Sequence, residues 1–200
     1  MVWDAAVTGQ FLDSIEGDRH YPLYHLATYW GMRRQELVNL TWADTDLAAR
    51  RLHVRGDIKS EDSDRIVIVD ADTAEVLKNW RDAQAFEALE WGDAWADSGR
   101  VFTRENGEPL HPAYVSEHFR VLIRQAGLPP VRFHDLRHGS ASLLMAAGQP
   151  PEVVSEIMGH STVSFTMDTY EVVAEELAEA AAVAIAAFVP RARKKTEAPR

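Results

Sequence analysis

Phe133-His134-Asp135-Leu136-Arg137-His138-Gly139-Ser140 opens an apolar helical pattern that runs to Ala147 and is stopped by Gly148 and Pro150. On a helix, His134, Arg137 and His138 stand at i, i+3 and i+4 and share one face. An imidazole beside a guanidinium suits a phosphate. The ring moves a proton near neutral pH, and the arginine fork grips non-bridging oxygens. Downstream, Met158-Gly159-His160 and Met167-Asp168-Thr169-Tyr170 add a further imidazole and a phenol.

Trp3 to Glu16 predicts an opening helix, partly capped by Thr8, with Phe11, Leu12 and Ile15 on its apolar side. Tyr21 to Tyr29 predicts a buried helix broken by Gly31, and Gln35 to Leu40 returns to helical spacing. Trp42 to Asp46 reads as a turn. Arg51 to Arg55 alternates, and Arg65 to Val69 is rich in β-branched residues, so the two predict a β-hairpin with Lys59 in or near its loop. Ala71 to about Leu89 predicts a helix carrying Val76, Leu77 and Trp80. Glu90 to Gly99 reads as a surface loop, Val101-Phe102 as a short strand and Asn106-Gly107 as a turn. Helices are predicted over Pro112 to Ala126, Pro151 to Met158 and, rich in alanine, Glu171 to Val189. Arg191 to Lys195 lie in a basic tail, 190–200.

The chain has 200 residues, 46% of them hydrophobic, which is ordinary for a globular protein of one domain. It has no cysteine, which excludes disulfides and thiolate metal sites. No leader or bilayer-length apolar run is visible, and the expectation is a cytoplasmic protein without a membrane partner. The formal net charge of −10 opposes nonspecific affinity for a polyanion over the whole surface. A local basic cleft remains open to it, built from Arg33-Arg34, Arg50-Arg51, Lys59, Arg132, Arg137 or the basic tail.

Several of these motifs, in this order, resemble the catalytic domain of tyrosine recombinases of the phage-integrase type, from about Trp3 to about Val173. Gly31-Met32-Arg33-Arg34-Gln35-Glu36-Leu37 is similar to the family's first-arginine box, with Arg33 as the catalytic arginine and Glu36 as the supporting acid. Lys59 resembles the hairpin lysine, His134-x-x-Arg137 the His-x-x-Arg box, and Met158-Gly159-His160 the Leu-Gly-His box. Tyr170 stands where the nucleophile belongs, ten residues after His160. Departures from the pattern are Tyr29-Trp30 before Gly31, Gln35 at a usually small position, the acidic neighbours of Lys59, and the absence of a histidine two positions after Tyr170.

The resemblance implies a mainly α fold with a small antiparallel β-sheet, over residues 1–189, with 171–189 as a C-terminal helix. It implies a site-specific recombinase that cuts and rejoins double-stranded DNA at a core site through a 3′-phosphotyrosyl ester, with neither ATP nor a catalytic metal. Arg33 and Arg137 would neutralise the transition state, Lys59 would protonate the leaving oxygen, His134 would act as base, and His160 would bond the phosphate. The family's N-terminal core-binding domain is expected to be absent from this chain. A synaptic homotetramer is implied, with the C-terminal helix either docking in trans on a neighbouring protomer or packing on its own domain, and an accessory directionality factor is a possible partner.

Taken singly, each residue has a plainer reading: Tyr170 as a half-buried core residue, Arg33-Arg34 as a solvated helix face, His160 as a cap, Lys59 as an ordinary loop lysine. Three other readings compete, one of them a noncatalytic DNA-binding or assembly module with a decayed site. His134, Asp135 and His138 could serve a metal-dependent phosphohydrolase if further ligands converged on them. A type IB topoisomerase would share the tyrosine chemistry but relax DNA without a specific site.

Overall fold

The computed structural model describes residues 2–56 and 64–159. Lys59, His160, Tyr170, the alanine-rich stretch and the basic tail lie outside the described residues. The expected mainly α fold with a small antiparallel sheet is found.

Helix α2 (Tyr21–Tyr29) is the hub, buried from Pro22 to Thr28. Around it pack α1 (Ala5–Ser14), α3 (Arg34–Asn39), α4 (Ala71–Trp91) and α6 (Asp135–Ala146). Its apolar character all round fits that place, since a helix hydrophobic on every face needs neighbours on every face. The core beside it is aromatic. Phe11 meets Trp3, Tyr24 and Phe119 with ring centroids 5.2, 6.0 and 5.3 Å apart, and Phe133 joins Phe119 edge-on at 5.7 Å. Such tilted and edge-to-face pairs place positive ring edges on negative faces.

Strands β1 (Thr45–Asp46), β2 (Arg51–Val54) and β3 (Arg65–Ile68) form an antiparallel sheet in that order. Leu52 pairs with Val67 and Val54 with Arg65, so Arg65 lies on the face that buries these apolar side chains. At the base of the hairpin, the Gly56 N–H donates to Asp64 Oδ1 at 2.7 Å. Helices α5 (Pro112–Gln125) and α7 (Pro151–Met158) complete the described architecture, and both begin with proline where its missing N–H costs nothing.

The structure departs from the sequence reading at four places. Asp4, not Thr8, caps α1, accepting the Val7 N–H at 2.8 Å, while Thr8 is buried inside the helix. The predicted turn at Trp42 to Asp46 supplies the third strand. Val101-Phe102 forms no strand, although the Val101 N–H donates to the Leu40 carbonyl and both side chains are buried. Helix α6 starts at Asp135 and leaves His134 as its N-cap residue. Among the described residues no helix is long and apolar enough to cross a membrane.

Gly31 joins α2 to α3 with φ +57°, a left-handed conformation that costs other L-residues about 1–2 kcal/mol. A Cβ there would lie 2.6 Å from Met158 Sδ and 3.2 Å from Ser140 Oγ, whose hydroxyl donates to the Tyr29 carbonyl at 2.8 Å. The glycine therefore lets α7, and behind it α6, approach the end of α2.

His20, at the start of α2, gives the fold a pH dependence. It is buried beside Tyr114, and among the described residues its Nδ1 has no hydrogen-bond partner. Burial, with the Arg19 charge and His118 adding to it, lowers its pKa to about 3. The unfolded chain, with an ordinary histidine near 6.5, binds the proton more readily. The stability linked to His20 is therefore full above about 6.5 and is lost as pH falls toward about 3. His20→Gln is expected to flatten the decline of the urea midpoint over that range, measured against the unaltered protein.

Candidate active site

The site is built on the C-terminal end of α7. The last carbonyls of any helix lack intrahelical partners and sit at the negative end of its dipole. Here three consecutive carbonyls each accept a bond from a different arginine. Arg65 Nε donates to Ile157 O at 2.8 Å, Arg137 Nη2 to Met158 O, and Arg33 Nη2 to Gly159 O at 2.8 Å. The three come from β3, from the first turn of α6, and from the residue preceding α3.

Glu36, in the first turn of α3, ties two of these arginines together. Its Oε1 accepts from Arg33 Nη1 at 2.7 Å and from Arg65 Nη1 at 2.8 Å. Its Oε2 accepts from Arg65 Nη2 at 3.0 Å and from the Arg33 backbone N–H at 2.7 Å. The side chains of Glu36 and Arg65 are 4% and 7% exposed, whereas Arg33 is 37% exposed. Burial by itself would raise the Glu36 pKa. The hydrogen bonds and charge of Arg65, with the Arg33 N–H and guanidinium, outweigh burial and hold it below the ordinary value.

Arg137 is buried, and its Nη1 also donates to Gly31 O at 2.7 Å. Burial and the neighbouring charge of Arg33 lower its pKa to about 9, against the pull of Glu36. It remains a cation at neutral pH. His134 leads into α6 with its ring centroid 5.1 Å from that of His138, nearly perpendicular. Burial, then the proximity of His138 and Arg137, lowers the His134 pKa, so its ring is neutral at pH 7 and able to accept a proton.

Arg33, His134 and Arg137 open onto a groove of about 1100 Å³ between α3, α5 and the segment leading into α6. Arg34, Arg120, Arg124 and Arg132 also line it, above a floor that includes Met32, Ile123, Leu128 and Phe133. The expected local basic cleft thus contains Arg33, Arg34, Arg132 and Arg137, and Arg50 and Arg51 are not part of it. Arg120 and Arg124 were not anticipated, although their i, i+4 spacing on an amphipathic helix places them on one face. Arg65 was also missed. Its only local signal was a cation within an alternating β-branched strand.

A metal reading of His134, Asp135 and His138 needs Asp135 beside the rings. Asp135 instead accepts the Arg132 backbone N–H at 2.9 Å and its guanidinium at 2.7 Å. Among the described residues no group of three or more His, Cys, Asp or Glu could hold a metal ion. Of the residues proposed from the sequence, the structure brings together Arg33, Glu36, His134 and Arg137. Lys59 follows β2 in the chain, His160 follows Gly159, and Tyr170 lies further on, all three outside the described residues.

Comparison with known proteins identifies the family. The chain is 29% identical over 182 residues to a tyrosine recombinase XerC-like protein of Caldanaerobacter subterraneus subsp. tengcongensis, covering 79% of this chain and 46% of the relative. It spans about half the length of the curated relatives it matches. Among solved structures, XerA recombinase superposes with a TM-score of 0.78 over 96% of this chain and 66% of that one, at 23% identity. XerH site-specific recombinase bound to palindromic difH substrate superposes with a TM-score of 0.72, covering 92% and 53%, also at 23% identity. At that identity the likeness is one of fold. Residues 9–176 match the phage integrase family over most of the chain, and the chain belongs to that family.

Proposed function

We propose that this protein is a site-specific DNA recombinase that cleaves and rejoins strands through a covalent 3′-phosphotyrosyl intermediate. The observation that carries this reading is the convergence of Arg33 and Arg137 on adjacent carbonyls at the mouth of a basic groove. Double-stranded DNA with a specific core site is the substrate, and the arginines lining the groove meet its phosphates. The acidic chain thereby gains a local site for a polyanion.

In the proposed reaction, the Tyr170 oxygen attacks the phosphorus and forms an O–P bond. The bond to the 5′-oxygen breaks, and that oxygen takes a proton from Lys59 to leave as a hydroxyl. His134 accepts the phenol proton, which an unperturbed pKa of about 10 would otherwise retain at neutral pH. Arg33 and Arg137 neutralise the non-bridging oxygens, and His160 donates a hydrogen bond to one of them. Glu36 holds Arg33. Attack by another 5′-hydroxyl reverses the step and joins a new strand, so the ester conserves the bond and no ATP is consumed.

Residues 1–189 form the catalytic unit in this reading, with the helix over 171–189 docking on a neighbouring protomer of a homotetramer. Integration or excision of a mobile element is the setting, and an accessory factor sets direction.

The test is an SDS-resistant protein–DNA adduct, trapped on nicked duplexes prepared from DNA of the source organism. The unaltered protein is expected to form it, and Tyr170→Phe to bind the same DNA without forming it. An adduct that persists in Tyr170→Phe, or none with the unaltered protein, refutes the proposal. Arg137→Lys, which keeps the charge but loses the fork, is expected to slow single-turnover cleavage by roughly 100–1,000-fold, the usual loss for one aimed donor.

A further inference from the structure

Arg65 belongs to none of the roles above, yet its side chain is only 7% exposed within the cluster. Its guanidinium grips both oxygens of Glu36, at 2.8 and 3.0 Å, while its Nε donates to Ile157 O at 2.8 Å. One planar group thus fixes two objects at once, the carboxylate that holds Arg33 and the end of the helix from which residue 160 follows. Gly159 supplies the room. It adopts φ +63°, and a Cβ there would sit 2.9 Å from both Arg65 Cδ and Nη1. The approach of the guanidinium and the left-handed turn both require glycine at this position.

We propose that Arg65 is a positioning residue for strand cleavage. It sets the Arg33 guanidinium and the 157–159 carbonyls in register without touching DNA. This rests on the recombinase reading. Arg33 is held by Glu36 Oε1 and Gly159 O; Arg65 grips Glu36 directly and bonds Ile157 O, two residues before Gly159. Without the fork on its two oxygens, Glu36 can rotate about its own side-chain torsions and carry Arg33 with it. A reacting group displaced by about 1 Å typically costs on the order of 100-fold in rate. Lysine cannot replace the fork, because a single ammonium cannot reach two carboxylate oxygens and a carbonyl in one plane.

The experiment compares the full chain with Arg65→Lys, on a nicked duplex carrying the sequence at which the unaltered protein forms its adduct. The scissile linkage is made either as a phosphodiester or as a methylphosphonate, which is neutral and needs less cationic neutralisation. Arg65→Lys is expected to bind this DNA as the unaltered protein does and to cleave the phosphodiester about 10- to 100-fold more slowly. The loss on the methylphosphonate should be markedly smaller. A general loss of structure would slow both linkages equally, and that result, or unaltered cleavage of the phosphodiester, overturns the proposal.

Hydrogen exchange without DNA supplies an independent arm. Amides of 157–159 should exchange faster in Arg65→Lys while α2 and α5 stay protected. Unchanged exchange at 157–159 overturns the proposal whatever the DNA result. If the unaltered protein forms no adduct, the recombinase reading falls, a distinct outcome because the exchange arm does not depend on it. Should Arg65→Lys fail to fold, Gly159→Ala displaces the same guanidinium from the other side, and the same linkage-selective loss is expected.

Discussion

The end of a short helix has carbonyl oxygens that nothing inside the helix can satisfy, and here three arginines from distant parts of the chain satisfy them in succession. Ile157, Met158 and Gly159 receive Arg65, Arg137 and Arg33. The rest of the site follows from this. The sheet is tied to α7 through Arg65, α6 through Arg137, and the start of α3 through Arg33. A helix of eight residues has little intrinsic stability, so its place is set by the packing of Val154 and Met158 against α6 and by what grips its terminus.

Three guanidiniums lie near one carboxylate in this cluster, which pairs with Arg33 and Arg65 and acts on Arg137 through its charge. Concentrating cations in a buried place is unfavourable by itself, since each loses water and repels the others. The lowered pKa of Arg137, down to about 9, reports that tension, and Glu36 relieves only part of it. A site with an unbalanced positive charge is suited to a ligand that brings negative charge. Carbonyl partners order the arginines before such a ligand arrives, and Arg33 and Arg137, each with five N–H donors, retain others to offer. Preorganisation of this kind means that little rearrangement is needed when charge develops.

The contrast between the whole and the part has the same origin. A net charge of −10 describes the average surface, whereas the groove gathers Arg33, Arg34, Arg120, Arg124, Arg132 and Arg137 on one side. Electrostatic screening shortens the reach of the distant acidic residues to about 8–10 Å at ordinary ionic strength, so local composition governs what approaches the groove.

Much of the fold was legible in the sequence, because helix ends are written locally. Pro112 and Gly127, or Pro151 and Gly159, mark starts and stops by their own backbone preferences, and the helices between them fall where the pattern placed them. Helical spacing put His134 and Arg137 within one turn, and family likeness singled out Arg33 and Glu36. Tertiary structure alone decided that Arg65 belongs to the same cluster. It decided too that Arg137 points inward to Gly31 and Met158, that Asp135 turns away to Arg132, and that α5 lends Arg120 and Arg124 to the groove. The physical reason is that a backbone preference is a property of a residue and its nearest neighbours. The partner of a buried charge is fixed by which distant segments pack against it, and no local spacing records that.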